Sequence, residues 1–240
     1  MDKQNSNKLN IIITGASRGI GRAIAEKFAA QGYNLFLCAH NEEKLAACAD
    51  ELKLVYNIPV KAYAADLSDK EQTKRFGAWV LENCDQIGIL VNNAGNFLPG
   101  SVNNEDDLVL EKMIAINLYS AYHLTRLLLP VMMKQKHGHI FNMCSIASLN
   151  AYPNGGSYSI SKFALMGFNK NLREEMRSFN IKVTGVYPGA VFTDSWAGSG
   201  VDKKRIMESA DIADMIYAAS RLSAAACVED IVLRPQLGDL

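Results

Sequence analysis

The chain alternates short apolar runs, rich in Ile, Val, Leu and aromatic residues, with longer stretches whose apolar positions recur every three or four residues. The short runs fit buried strands and the longer ones amphipathic helices, because those are the side-chain periods of the two structures. On this reading residues 10–14, 35–39, 60–64, 89–92, 139–145, 182–187 and 230–233 are predicted strands. Helices are predicted over 18–31, from Asn41 onward, over 68–83, as a pair within 106–136, over 158–180 and over 211–224. The end signals are local. Ile20, Ala23, Ile24, Ala25 and Phe28 share a face that stops at Gly32; Asn41 precedes Glu42 and Glu43, which suit a positive helix end; and Ser68 with Glu71 forms a capping-box pattern. Strands alternating with helices predict right-handed crossovers, a parallel sheet and helices on both faces. The expected fold class is α/β and doubly wound. No linker, repeat or low-complexity segment divides the chain into further domains.

Composition narrows the ligand. The 240 residues are 49% hydrophobic and 21% charged, in the range of one large α/β domain. Lys and Arg number 25, as do Asp and Glu, so no overall field draws nucleic acid or an anionic membrane, and a small-molecule ligand is expected. The five cysteines (Cys38, Cys48, Cys84, Cys144, Cys227) are scattered without a Cys-x-x-Cys spacing, which predicts buried thiols in a reducing compartment and no metal site. Residues 1–8 form a polar tail without the apolar core of a signal peptide, and no run of about eighteen apolar residues occurs. A cytoplasmic protein is expected.

Two stretches carry chemistry. Tyr158 and Lys162 lie four apart in a predicted helix, so phenol and ammonium project from one face. A free phenol titrates near pKa ~10, and bringing it to neutrality takes about three units, or roughly 4 kcal/mol. One ammonium about 4 Å away contributes on the order of 4 kcal/mol at an effective dielectric of about 20. A single lysine is thus expected to suffice. The other stretch, Thr14-Gly15-Ala16-Ser17-Arg18-Gly19-Ile20-Gly21, joins the first strand to the first helix. There Gly15 permits the sharp turn, Gly19 lets backbone approach a pyrophosphate, Gly21 allows close helix packing, and the helix amino end attracts phosphate.

That turn, Asn92-Asn93-Ala94-Gly95 after the fourth strand, Asn117, Ser145, Tyr158-x-x-x-Lys162 and Pro188-Gly189 ending the sixth strand together resemble the short-chain dehydrogenase/reductase family, over roughly residues 10–235. The resemblance implies a single Rossmann domain with a seven-stranded parallel sheet. It also implies an oxidoreductase that reduces a carbonyl of a small or medium substrate to an alcohol. In it Tyr158 is the acid/base, Lys162 lowers its pKa and holds the nicotinamide ribose, Ser145 polarises the carbonyl, and Asn117 bends its helix and holds a water. The implied cofactor contacts are Gly15, Ser17, Arg18, Gly19, Ile20 and Gly21 in the turn; His40 and Asn41 after strand two; Asp66 and Leu67 at the adenine; Asn92 beside the adenosine ribose, with Ala94 and Gly95 after it; and Pro188, Gly189, Val191 and Thr193 at the carboxamide.

Cofactor choice leans to NADP(H) over NAD(H). Cys38-Ala39-His40-Asn41 lacks the acidic residue of NAD users, Arg18 resembles the basic residue directed at the 2′-phosphate, and His40 stands where many members have arginine. Residues 191–209, with Trp196, Gly198 and Gly200, are expected to form a lid, and Phe97, Leu98, Ile146, Tyr152, Pro153, Phe192 and Trp196 a mainly apolar pocket. Much of the chain is similar to 3-oxoacyl carrier-protein reductases, and Lys203-Lys204-Arg205 offers a basic run for an acidic carrier. Its end, Asp230 to Leu240, looks more like the sepiapterin-reductase-like and 3-hydroxy-acid dehydrogenase branches. A reading from another class is an NADPH-sensing regulator without turnover. The resemblance further implies a homodimer or homotetramer, paired through helices near 118–136 and 158–180.

Overall fold

The computed structural model describes residues 9–193, 196 and 200–239. The polar tail 1–8 and, within the expected lid, Gly198 lie outside the described residues. Seven strands, β1 (Asn10–Thr14), β2 (Asn34–Ala39), β3 (Val60–Ala64), β4 (Ile89–Asn92), β5 (Gly138–Met143), β6 (Ile181–Pro188) and β7 (Asp230–Leu233), form one sheet in the order β3-β2-β1-β4-β5-β6-β7. Each neighbouring pair is parallel.

Strand alternation sorts the apolar side chains between two cores. Ile11, Ile13, Leu35, Leu37, Phe141 and Val186 pack on the side covered by α1 (Gly19–Ala30), α2 (Glu42–Tyr56) and α7 (Ser209–Ser220). Ile12, Phe36, Leu90, Ile140 and Val183 face the side covered by α3 (Lys70–Asn83), α5 (Ser120–Gln135) and α6 (Gly156–Met176). Both faces are apolar because both are covered. The strand order reverses between β1 and β4, and in doubly wound sheets the crevice at such a point, beyond the strand carboxyl ends, is where ligands sit.

Several element ends differ from expectation. The helix pair is α4 (Val109–Ile114) running into α5 through a π-helical turn, Ala115–Tyr119, that contains Asn117. The cap of α3 is Asp69, whose carboxylate accepts from Glu71 and Gln72 N–H; Ser68 instead donates its hydroxyl to Asp66 Oδ1 at 2.7 Å. Strand β5 stops at Met143, freeing Ser145 to cap the short 3₁₀ turn Ile146–Ser148. Helix α7 ends at Ser220, where the hydroxyl bonds back to the Tyr217 carbonyl and the Arg221 N–H closes on Ala218. Among the described residues no helix is long and apolar enough to cross a membrane. Cys38, Cys48, Cys84 and Cys144 are buried, but Cys227 is exposed, contrary to the expectation of five buried thiols.

Candidate active site

The β1 and β4 ends are stapled together at the strand reversal. Thr14 Oγ1 accepts from the N–H groups of Asn93 and Ala94, both at 2.9 Å, and Asn93 Nδ2 donates to the carbonyls of Thr14 (2.9 Å) and Gly15 (3.2 Å). Gly15 and Gly19 take φ of +66° and +54°, in the left-handed region that favours glycine. A Cβ on Gly21 would lie 2.2 Å from the Gly15 carbonyl oxygen, so the turn closes only on glycine. The amino end of α1 has neither a side-chain cap nor an acidic residue in its first turn, which leaves its N–H groups to an anion. Thr193 arrives over this turn, its Cγ2 being 3.2 Å from where a Cβ of Gly19 would sit. Ser17 and Ile20 are half-buried in the turn and Arg18 is exposed at its edge.

Across the crevice, the ends of β5 and α6 bring the titratable groups together. Ser145 is buried, its Oγ accepting from Ala147 N–H at 3.1 Å. Burial pushes the Tyr158 phenol up to about 12, with the Ser145 hydroxyl beside it pulling the other way. Lys162 is buried too, and desolvation draws its ammonium down to about 8. Its Nζ donates to the Met143 carbonyl at 2.8 Å and stands 5.8 Å from the Tyr158 ring centroid. In the chain alone, loss of water and not the Lys162 ammonium governs this phenol, which differs from the expectation that one lysine acidifies it. Asn117 fills the gap behind them. Its Oδ1 accepts from Asn96 N–H at 2.8 Å, and its Nδ2 donates to the Asn96 carbonyl (3.0 Å) and to Ser161 Oγ (2.9 Å). A Cβ on Gly95 would meet Asn117 Oδ1 at 2.8 Å and Lys162 Nζ at 3.5 Å.

Other residues take different jobs from those expected. Asn92 is buried, donating to Thr125 Oγ1 (2.9 Å) and Asn142 Oδ1 (2.8 Å), so its side chain turns into the sheet rather than toward a nucleotide. Leu67 is buried in the core, and its carbonyl accepts from Thr73. Asn41 caps α2 through Lys44 N–H, the cap expected ahead of Glu42 and Glu43. His40 is exposed, but Asp66 Oδ2 approaches its Nδ1 to 4.0 Å, placing a carboxylate beside the β2 end that the order of residues along the chain does not show. On the last wall, the Gly189 N–H donates to the Leu233 carbonyl and Val191 pairs with Met207. Phe97, Leu98, Tyr152 and Pro153 are exposed around the mouth, while Ile146, Phe192 and Trp196 are half-buried. The Phe97 ring meets Tyr158 edge-on at 4.8 Å. Arg205 spends its guanidinium on the carbonyls of Leu237, Gly238 and Asp239, which removes it from the basic run offered to a carrier.

Sequence reading passed over three contributors. Thr14 and Asn93 each reach the opposite strand's backbone with a side chain across the reversal, and Ser161, within the Tyr158–Lys162 turn, donates from its hydroxyl to the Tyr158 carbonyl at 2.7 Å. Position 161, one turn from Tyr158, was the available signal.

Known proteins resemble this chain in sequence and fold. A family model described as short chain dehydrogenase matches residues 9–204. An uncharacterised oxidoreductase of Staphylococcus epidermidis is 30% identical over 93% of this chain and 96% of its own length. The sepiapterin reductase of Chlorobaculum tepidum is 31% identical over 96% of this chain and 97% of its own. The solved structure of an alcohol dehydrogenase from the archaeon Thermococcus sibiricus, complexed with 5-hydroxy-NADP, matches with a TM-score of 0.88 at 28% identity, over 96% of this chain and 97% of that one. The matched span takes in the glycine turn, Asn117, Ser145, Tyr158 and Lys162, and on that ground the chain belongs to the short-chain dehydrogenase family.

Proposed function

We propose that the protein is an NADPH-dependent reductase of small or medium carbonyl compounds, with Tyr158 as the proton donor. The observation that carries this is the meeting of Ser145, Tyr158 and Lys162 across the crevice from an uncapped helix end reached by a left-handed glycine turn. The cleft fits a dinucleotide: α1 offers free N–H groups to a pyrophosphate, and Thr193, Gly189 and Val191 line the segment that would hold a carboxamide. Lys162 and Tyr158 would hold the nearer ribose. When bound, NADPH supplies the hydride that reduces the carbonyl carbon.

The chain's own residues handle the oxygen. Ser145 and Tyr158 donate to it as negative charge builds, and the phenol proton then passes to it. The phenol carries its proton through the neutral range, the form a donor needs, and a pKa brought nearer neutral would make it the better acid. Asn117 and Ser161 fix the turn carrying Tyr158 from behind. Arg18, exposed at the turn edge, is the group we assign to a 2′-phosphate, and the 5-hydroxy-NADP in the archaeal relative supports the choice of NADPH. The exposed Phe97, Leu98 and Tyr152 favour an uncharged substrate of modest size.

The test is NADPH consumption across diketones, 3-oxo thioesters and pterins, comparing the parent with Tyr158→Phe. The parent is expected to turn over at least one uncharged carbonyl, and the variant to lose about a hundredfold or more in kcat while still binding NADPH. Equal rates in the two proteins would remove Tyr158 from the chemistry.

A further inference from the structure

Helix α6 carries both Tyr158 and Lys162, yet nothing in its own sequence closes its amino end: Gly155 contributes no side-chain cap, and the first turn has no acidic residue. The carboxylate that serves it comes from Glu105, 52 positions before Ser157. Glu105 Oε1 accepts from Ser157 N–H at 2.8 Å, and Oε2 accepts from the Ser157 hydroxyl. Negative charge is favoured at a helix amino end, and two bonds to one carboxylate fix its angle as well as its distance. Glycines make the room. Gly156 has φ of +34°, and a Cβ there would lie 2.0 Å from Glu105 Oε1; a Cβ on Gly100 would lie 2.6 Å from Glu105 Cγ.

The same seam joins the mouth of the pocket to the helix. Gly100 N–H donates to the Asn154 carbonyl at 3.1 Å, and Ser101 Oγ donates to Asn154 Oδ1 at 2.6 Å. Glu105 borders a cavity of about 440 Å³ along this seam, lined also by Leu98 and Asn154. A few residues earlier the segment carries Phe97, whose ring lies edge-on against Tyr158. Glu105 thus grips the residue directly before Tyr158 with one end and stands in the loop bearing Phe97 with the other.

We propose that Glu105 is a positioning residue for carbonyl reduction, one that locks the first turn of α6 and the 97–105 loop into a single register. It touches no reacting atom and acts through Ser157 and the loop. The body of α6 is held elsewhere, by Leu165, Leu172 and Met176 in the core and by Arg173 on the Val183 carbonyl, so losing this cap loosens the turn that bears Tyr158 rather than the fold. The inference rests on Tyr158 being the proton donor.

Steady-state kinetics, normalised to the number of NADPH-binding sites titrated by fluorescence, tests it. Glu105→Ala is expected to lower kcat per site about tenfold and to raise the KM of the carbonyl substrate, with NADPH affinity within about twofold of the parent. Glu105→Gln keeps an acceptor for Ser157 N–H and a partner for its hydroxyl, so it is expected to recover most of the loss. An Ala variant with parental kcat and KM per site overturns the proposal, as does a loss explained entirely by fewer binding sites, or one that Gln fails to rescue. Were the Ala variant insoluble, Glu105→Asp, one methylene short, is measured in its place with the same expected loss and the same overturning result. Parental turnover that depends on Tyr158 but ignores Glu105 sinks only this inference; turnover indifferent to Tyr158 sinks the reductase reading beneath it.

Discussion

Lys162 sits in the core with its ammonium on a single carbonyl, and its pKa falls from 10.5 to about 8. Because the folded chain holds that proton less firmly than the unfolded one, the group costs stability below pH 8, and the cost is relieved as pH rises toward 10.5. Lys162→Met is therefore expected to be more stable than the parent at pH 7 in the absence of nucleotide, by at most on the order of 3 kcal/mol. The gap should narrow from pH 8 upward and close near pH 10.5, with Tyr158 present in both proteins and its titration common to them. Urea unfolding across that range measures it, and a gap that is constant or widens counts against a desolvated ammonium. The four-residue spacing of Tyr158 and Lys162 was legible in the sequence; the degree of drying around them was not. Drying depends on residues of other elements, with the Met143 carbonyl on the Lys162 ammonium and Gly95 close beside it.

At the scale of elements, the strands and most helices could be read because alternation and helical period are local properties, as Ile11, Ile12 and Ile13 facing opposite cores illustrate. Ends were less legible, since caps depend on which oxygen reaches an N–H first. Asp69, not Ser68, caps α3, and the α6 cap comes from a different segment altogether. The two cap assignments for α3 make opposite forecasts. Asp69→Ala is expected to lower Tm by about 3 °C and Ser68→Ala by clearly less, read by thermal circular dichroism. The reverse order would restore Ser68 as the cap. The same reasoning covers the cofactor side: the glycine turn declared itself by composition and context, while the inward turn of Asn92 and the approach of Asp66 to His40 depend on neighbours distant along the chain.

For the whole molecule, a nucleotide that binds only the folded state stabilises it by mass action, about 2.7 kcal/mol at a hundredfold excess over Kd. NADPH is expected to raise Tm more than NADH at equal concentration, and Arg18→Ala to narrow the difference, in a thermal-shift assay. An equal or larger rise with NADH would reverse the cofactor assignment. The strand order has a consequence of another kind, for synthesis on the ribosome. β1 is made early yet ends in the middle of the sheet, with Ile11 beside Leu35 on one edge and Ile89 on the other. While the chain emerges, β1 can pair with β2 long before β4 exists, and the greasy edge of that half-built sheet stays open until the middle of the message has been translated. Slow codons or chaperone occupancy in that interval are expected to change the yield of soluble protein.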